Sequence, residues 1–232
     1  MNNPQVAAGT TSRERRRVLR AVAGLVPVAV SEDAVRVAVD GGDGAGKTTF
    51  ADELAGVLSS NGRPVVRVSA DDFHHPRAVR YRRGRSSPEG YWLDSFDYAS
   101  LRRDVLDPLG PGGTRRYRPA VHDLASDASL DLPARHAPPG AVLVLDGVFL
   151  HRDELCGLWD LSVFLAVPLA VRVERMARRD GSPADPAHPA LARYVQGQRL
   201  YFDACRPWER ADVVVDNTDL DRPTIRPALP RG

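Results

Sequence analysis

The sequence has little of several features that define whole classes of proteins. Its 232 residues include only two cysteines, Cys156 and Cys205, which cannot form a disulfide framework and lack the spacing of zinc ligands. It contains no apolar run of about 18 residues, so it predicts no membrane-spanning helix. The formal net charge is only +2, which disfavours a nucleic-acid partner. We therefore expect a cytoplasmic protein that binds neither nucleic acid nor membrane.

What the chain does contain is enough apolar sequence for an α/β domain. Hydrophobic residues make up 43% of it, which excludes wholesale disorder. Arginines within residues 13–17 precede the apolar residues 18–30, a pattern that secretory signals share. Arg20 and Pro27 interrupt that run, however, and residues 18–25 place apolar side chains at helical spacing. We therefore expect a short amphipathic helix that docks on the domain.

The most informative stretch is a glycine-rich loop between an apolar run, residues 35–39, and an amphipathic segment. It matches the pattern G-x-x-x-x-G-K-[ST]. Such a loop directs backbone N–H groups at a phosphate at the N terminus of a helix. We expect Lys47 to reach the β- and γ-phosphates and the Thr48 hydroxyl to bind Mg²⁺. The residues predicted to bind the phosphates are Gly41, Gly42, Asp43, Gly44, Ala45, Gly46, Lys47, Thr48 and Thr49.

Two carboxylates follow predicted strands, at residues 64–69 and 141–145. In an α/β sheet the carboxyl ends of the strands line the crevice that binds ligands. Asp146 follows a run of aliphatic residues, the pattern of a Walker B acid that orients Mg²⁺. A kinase that phosphorylates an alcohol needs a carboxylate to accept the hydroxyl proton. Asp71 is our candidate for that base, and a helix cap beside Asp72 is the structural alternative.

Two arginine-rich segments have open roles. Residues 77–85 contain five arginines, which form either a solvated loop or a loop that grips a phosphate or covers the substrate. Arg172, Arg175 and Arg179 share one face of the helix predicted from residue 168 to about 180. They are either an ordinary basic surface or a clamp on the phosphates from a closing lid. We place this lid at about residues 172–193.

The alternation of strands and helices predicts an α/β fold, a doubly wound parallel sheet with helices on both faces. The phosphate loop makes it a P-loop NTPase fold, with a small β-hairpin insertion between residues 115 and 132 and a helical lid. We expect residues 1–11 to be disordered. Residues 12–218 are predicted to form a single P-loop kinase domain, and residues 219–232 a loosely ordered tail.

These motifs together resemble the uridine kinase family, which groups with phosphoribulokinase and bacterial pantothenate kinase. The resemblance is carried by DGGDGAGKTT, SADDFHH, LVLDG and the RMARRD helix, and it covers roughly residues 35–216. It implies ATP-dependent phosphorylation of a small-molecule hydroxyl, with the 5′-hydroxyl of uridine or cytidine as the first acceptor to consider. It also matches Asp71 to the general base, with Thr48, Asp71 and Asp146 as the ligands of Mg²⁺.

The resemblance also implies residues that bind the acceptor. In the hairpin that embraces the base, Pro119 replaces an aromatic residue of the family pattern. Glu89 is a rival for the ribose-binding acid, and Arg179 matches the catalytic arginine of the lid. Taken with the lid helix, the candidate substrate-binding residues are His74, Asp94, Tyr117, His122 and Arg175.

The sequence leaves the acceptor open. Another nucleoside, a phosphosugar or pantothenate fits the same transfer, and the arginines of residues 77–85 would then grip an acceptor phosphate or carboxylate. A regulatory P-loop NTPase is disfavoured because the chain has no N-K-x-D segment that reads guanine. The preference for ATP over GTP is also open, and a homo-oligomer is compatible with the sequence.

Overall fold

The computed structural model describes residues 11–30 and 32–226, so most of the predicted N-terminal disordered segment lies outside the described residues. Six of its strands form one central sheet, and the other four form two small two-stranded sheets. The strands are β1 (Val35–Gly41), β2 (Val65–Ser69), β3 (Arg116–Tyr117), β4 (His122–Asp123), β5 (Ala128–Ser129), β6 (Arg135–His136), β7 (Val142–Gly147), β8 (Leu161–Ala166), β9 (Val213–Asp216) and β10 (Thr224–Ile225).

The central sheet has the order β10-β9-β8-β1-β7-β2. Its inner pairs are all parallel, and only β10 runs antiparallel to its neighbour β9. In β1 and β8, Val37 pairs with Leu161, and on the other side of β1 the same residue pairs with Val144 of β7. Strand β1 is buried along its whole length, as expected of an inner strand covered on both faces.

Helices cover both faces of the sheet. They are α1 (Arg13–Leu25), α2 (Lys47–Ser60), α3 (Arg77–Arg80), α4 (Pro88–Asp94), α5 (Tyr98–Leu101), α6 (Asp153–Cys156), α7 (Leu169–Asp180), α8 (Ala192–Cys205) and α9 (Pro207–Arg210). A π-helical turn, Arg102–Leu106, continues α5, and 3₁₀ turns lie at Ala70–Phe73 and Pro189–Leu191.

The alternation of side chains along the strands divides the core into two layers. One face of β1 and β7, including Val37 and Val144, packs against the predicted N-terminal helix α1 and against α2. The opposite face, including Ala38 and Leu143, packs with residues of α4, α5 and α8. This is the period-2 pattern of a sheet buried on both sides. The predicted α/β fold with helices on both faces is therefore confirmed.

Three details differ from the sequence-based expectations. The strand at Val65–Ser69 is the edge strand and is only alternately buried, because Arg67 points away from the apolar layer toward polar partners. The predicted hairpin insertion is two short ladders, β3 with β6 and β4 with β5. Part of the expected loose tail is ordered, because Thr224 and Ile225 pair with β9.

No helix within residues 11–30 and 32–226 has both the length and the apolar character needed to cross a membrane.

Candidate active site

The phosphate loop connects the end of β1 at Gly41 directly to the start of α2 at Lys47. Gly46 caps α2 with a left-handed backbone, φ 87°, a conformation that favours glycine. Gly44 also has a positive φ of 78°, and a Cβ there would lie only 2.4 Å from the carbonyl oxygen of Arg172. Glycine at this position therefore lets the loop pack against the backbone of α7.

A cavity of about 1090 Å³ opens over this loop. The loop lies at the centre of the sheet, because β1 is flanked by β7 and β2 on one side and by β8 and β9 on the other. Most of the predicted site residues meet in this one cavity, which has the size of a small-molecule site. Those that line it are Asp43, Gly44, Gly46, Lys47, Thr48, Thr49, Asp71, His74, Asp146, Arg175 and Arg179.

Asp146 is the buried acid of the site, at the carboxyl end of β7. One of its oxygens, Oδ2, accepts a hydrogen bond of 2.7 Å from the Thr48 hydroxyl. The other, Oδ1, accepts one of 3.0 Å from Nη2 of Arg67. Sequence reasoning missed Arg67, whose position in the middle of β2 gives no motif signal. The arginine holds the acid in place while leaving it beside the threonine.

The oxygen atoms of Thr48, Asp71 and Asp146 suit Mg²⁺ in their chemistry. Within the described residues, no three or more His, Cys, Asp or Glu side chains are grouped as a metal cage. Magnesium ordinarily takes one or two carboxylates and completes its shell with waters and substrate phosphates. A hydroxyl and two carboxylates at the mouth of a phosphate loop therefore fit the ion together with a nucleotide.

Asp71 lies just past the carboxyl end of β2, in the 3₁₀ turn Ala70–Phe73. Its side chain is open to the cavity but is surrounded by protein, and this loss of hydration raises the pKa of its carboxyl. His74 in its protonated form and Lys47 act in the opposite direction, whereas Asp43 and Asp146 raise the pKa further. A carboxylate with a raised pKa is a better proton acceptor in a reaction.

Lys47 lies over the loop, where its Nζ donates to the carbonyl of Gly42 at 3.1 Å.

Asp43 has hydrogen-bond partners that the loop motif does not predict. Its Oδ2 accepts hydrogen bonds from Tyr91 Oη at 2.9 Å and from Gln198 Nε2 at 2.7 Å. These bonds tie the phosphate loop to α4 and α8.

The arginines of helix α7, which the sequence predicts to be part of a lid, have different surroundings. Arg172 is buried and donates to Gln198 Oε1 at 2.5 Å. Arg175 donates through Nη2 to the carbonyls of Asn217 and Thr218, at 2.8 and 2.9 Å. It therefore lies on the β9 side of the loop, opposite the side expected of an acceptor-binding residue. Arg179 is exposed, lines the cavity and pairs with Asp180 at 2.7 Å.

Three residues that the resemblance implied for the acceptor do not line the cavity in the described structure. The Asp94 carboxylate is fully buried and paired with Arg82 and Arg83. Tyr117 packs in the core. His122 is buried and its Nε2 lies 3.2 Å from Asp127 Oδ1. The short ladders direct Tyr117 and His122 inward, and Asp94 on α4 is turned to its two arginines, so the expected contacts with an acceptor are absent from this arrangement.

A mainly aromatic wall takes their place beside Asp71. Its members, apart from His74, were missed because they lie on separate segments without a shared motif. His74 is buried, stacks on Phe96 with ring centroids 4.2 Å apart, and its Nδ1 lies 2.8 Å from the carbonyl oxygen of Asp71. Burial lowers the pKa of His74, which favours the neutral ring. Because the Asp71 carbonyl only accepts, Nδ1 donates to it, and Nε2 of the neutral ring is an acceptor. The wall consists of His74, Tyr81, Tyr91, Phe96, Leu124 and Tyr194.

Together, the phosphate loop at the start of α2 and the carboxylates that end β2 and β7 define a P-loop kinase fold. No family model matches the chain. Two curated proteins, both named uridine kinase, are similar to the chain in sequence. That of Lactobacillus helveticus (strain DPC 4571) is 23% identical over 195 residues, 79% of this chain and 87% of the relative. That of Leuconostoc citreum (strain KM20) is 24% identical over 157 residues, which are 62% of this chain and 67% of the relative.

Solved structures share the fold. A possible uridine kinase from Bacillus stearothermophilus matches 88% of this chain and 98% of its own, with 21% identity and a TM-score of 0.67. Phosphoribulokinase from Rhodobacter spheroides matches 80% of this chain and 70% of its own, with 16% identity and a TM-score of 0.55. The two curated relatives confirm the resemblance to the uridine kinase family, and the solved structures show that the chain shares their fold.

Proposed function

We propose that this protein transfers the γ-phosphoryl group of ATP to the 5′-hydroxyl of uridine or cytidine. The observation that carries the proposal is the position of Asp71. It shares one cavity with Lys47, Thr48 and Asp146, and its surroundings raise the pKa of its carboxyl. A kinase that phosphorylates an alcohol needs at least a loop that binds the phosphates and a nearby carboxylate that accepts the hydroxyl proton.

In the proposed reaction, Asp71 accepts the proton of the acceptor hydroxyl as its oxygen forms a bond to the γ-phosphorus. The bond between that phosphorus and the β–γ bridging oxygen breaks, and ADP leaves with the electron pair. Lys47 exchanges its bond to Gly42 for the β- and γ-phosphates. Thr48 and Asp146 would hold Mg²⁺ beside the phosphates, and the bound ion would supply positive charge next to the phosphate oxygens.

The side chains on the acceptor side of the cavity favour a neutral, flat molecule as the acceptor. The arginines of residues 77–85 were candidates for gripping a phosphate, but protein groups already occupy them. Arg80 donates to Asp127 and to the carbonyl of His75, and Arg82 and Arg83 bond Asp94. Arg77 is bonded to the 125–127 turn, and Arg85 stacks on Tyr81.

The aromatic wall instead offers ring faces and one imidazole acceptor, which suit a nucleoside better than a phosphosugar. Pantothenate also carries a negative charge, and Arg193, which lies over the rings of Tyr81 and Tyr91, already donates to the carbonyls of Arg80 and Ser87. Another kinase acceptor of the superfamily is the second candidate, because the phosphate loop and Asp71 act on any correctly placed hydroxyl. A regulatory NTPase would not need Asp71 at this position.

The test is a coupled measurement of ADP release with Mg²⁺ and ATP over a panel of alcohols. The panel contains uridine, cytidine, other nucleosides, pantothenate and phosphosugars. We expect turnover with uridine or cytidine and its loss in Lys47→Ala, which removes the phosphate clamp. Turnover with only a phosphosugar or pantothenate would remove the nucleoside assignment, and turnover with no alcohol would remove the kinase assignment.

A further inference from the structure

Asp40 is a fully buried carboxylate at the point where β1 enters the phosphate loop. It is 0% exposed and lies between Gly147 of β7 and Phe164 of β8, in the middle of the central sheet. Taking a carboxylate out of water is costly unless protein donors replace its hydration. Residues 37–39, which precede it in β1, are all apolar. Packing alone therefore does not account for an acid at this position.

Four hydrogen-bond donors from three segments surround this carboxylate. Oδ1 accepts from the N–H of Gly41, the first residue of the loop motif, at 2.6 Å. Oδ2 accepts from Tyr201 Oη of α8 at 2.5 Å. The Nδ1 and the backbone N of His151, which follows β7, lie 2.8 and 3.2 Å from the same oxygen. Because an ionised carboxylate only accepts and has about four acceptor sites, both nitrogens donate and Asp40 is completely satisfied.

Tyr201 is the member of this cluster that connects the loop to α8. It is 1% exposed, and burial, followed by the charge of Asp40, raises the pKa of its hydroxyl. The hydroxyl therefore stays protonated and donates to Asp40. Ring packing fixes where the hydroxyl lies, and the hydroxyl in turn fixes the carboxylate that holds the Gly41 N–H. The rings that pack against Tyr201 are those of Trp92, Phe149 and Phe202.

The same face of α8 holds the loop at a second point. Gln198 precedes Tyr201 by three residues, so the two side chains share one face of the helix. Gln198 Oε1 accepts from the N–H of Asp43 at 3.1 Å, and its Nε2 donates to Asp43 Oδ2 at 2.7 Å. A Cβ on Gly42, between these two anchors, would lie only 2.5 Å from Gln198 Oε1. Helix α8 therefore packs directly on the loop and holds the backbone of residues 40–43.

We infer that Tyr201 is a positioning residue of the donor site, which holds the start of the phosphate loop in place through Asp40. The inference rests on the proposed function, because it concerns how the phosphates of the donor are bound in that reaction. Neither Tyr201 nor Asp40 lines the cavity in the part of the chain that the structure describes. Tyr201 thus acts only through the carboxylate and the loop backbone. The loop motif, which begins at Gly41, includes neither residue.

Affinity for phosphates, measured by calorimetry on the full chain with Mg²⁺, tests this role. The probes are ATP and inorganic tripolyphosphate. Tyr201→Phe removes only the hydroxyl and keeps the ring among its aromatic neighbours. We expect both probes to bind about tenfold more weakly than to the wild type, the effect of one hydrogen bond to a charged group. A loss for ATP without a loss for tripolyphosphate would contradict an action on the loop.

Ser162→Ala is the matched control, because it also removes a buried hydroxyl that donates to a carboxylate. Ser162 Oγ donates to Asp212 Oδ2 at 2.8 Å, three residues before Leu165, which pairs with Gly41. Urea denaturation gives the free energy of unfolding of both variants. We expect both to lose stability, but only Tyr201→Phe to lose phosphate affinity at a temperature where both are folded. A merely structural role for Tyr201 predicts unchanged phosphate affinity in both variants.

Asp40→Asn supplies a second line of evidence. The amide keeps the shape of the carboxylate but places an NH₂ group among donors. If Tyr201 acts through Asp40, adding Tyr201→Phe to Asp40→Asn should weaken tripolyphosphate binding by much less than tenfold. Full additivity, or wild-type affinity in Tyr201→Phe, would overturn the inference and leave the proposed function standing. A wild type that binds neither ATP nor tripolyphosphate would remove the proposed function as well.

Discussion

The two halves of the cavity are built in different ways. The half that holds phosphates comes from one continuous loop, residues 41–49, between a buried strand and a helix. The acceptor half is assembled from Asp71 and His74 after β2, from the β4–β5 turn, and from α4 and α8. A local sequence motif is sufficient to define the first half, whereas only the folded chain defines the second.

The halves also differ in how they use charge. The phosphate half keeps Lys47 and the Thr48–Asp146 pair at the cavity surface. Around the proposed acceptor half, Arg80 is paired with Asp127, and Asp94, which does not line the cavity, is paired with Arg82 and Arg83. Under the proposed function, phosphoryl transfer depends on charge, and we expect selection of the acceptor to depend on ring faces and single hydrogen bonds. Substitutions in the two halves should therefore have effects of different size and kind.

The largest effect is expected for Asp71→Asn, which leaves the shape of the side chain but removes its basicity. We expect kcat to fall by about 10²–10⁴-fold, the contribution of a positioned acid or base, with ATP affinity retained. Asp72→Asn is the matched control, because Asp72 is adjacent and does not line the cavity in the described structure. Wild-type kcat in Asp71→Asn, measured by ADP release, would place the base elsewhere.

A smaller effect is expected for Arg179→Ala on the lid. Arg179 pairs with Asp180 and is exposed, so it is free to turn toward the phosphates when the lid closes. We expect kcat to fall by about 10²-fold, comparable with the loss of one donor to developing charge, and ATP affinity to change much less. Arg179→Lys should recover part of the rate. An effect confined to ATP affinity would contradict a role in the transition state.

A smaller effect again is expected for His74→Phe, which removes the imidazole acceptor and the Nδ1 bond to the Asp71 carbonyl but keeps an aromatic ring. The phenyl ring should still stack on Phe96, while Nε2 is lost. We expect KM for the acceptor to rise about tenfold, the value of one hydrogen bond to a substrate, and KM for ATP to stay the same. His75→Phe is the control, since His75 does not line the cavity among the residues described. A parallel rise in both KM values would point to general disruption.

The difference between the halves also explains what the sequence could predict. The fold follows from strands and helices whose periodicity is local, and the phosphate loop from fixed spacing of glycines before Lys47. Asp71 and Asp146 could be predicted because parallel strands bring their carboxyl ends to one edge. Arg67 could not, because it lies in the middle of a strand and its partner Asp146 is distant in sequence.

The acceptor candidates are harder to predict for a related reason. Whether Asp94 faces the cavity or an ion pair depends on how α4 is rotated and on what the preceding loop supplies. In this chain that loop supplies Arg82 and Arg83, which take both carboxylate oxygens. A resemblance transfers residue types from one protein to another, but it does not transfer the direction of a side chain where the surrounding loop has changed.

The smallest effect on catalysis, and a clear effect on stability, is expected for Asp94→Asn. Burial alone would raise the pKa of this carboxyl, but the hydrogen bonds and charges of Arg82 and Arg83 outweigh burial and hold the pKa below its usual range. The variant should lower the free energy of unfolding at pH 7 by about 1.5–3 kcal/mol, the value of hydrogen bonds to a charged group. KM for the acceptor should not change.

The stability that the Asp94 carboxylate contributes should decrease as the pH falls. Because the folded-state pKa of Asp94 lies below the unfolded value of about 3.9, its contribution is complete above pH 3.9 and is lost as the pH falls through the folded value. Urea denaturation should therefore show a gap between wild type and Asp94→Asn that narrows in acid. Asp107→Asn, which removes an exposed pair with Arg102, should change stability by less than about 1 kcal/mol. A raised acceptor KM in Asp94→Asn with unchanged stability would instead return Asp94 to the substrate site and weaken the division between the two halves.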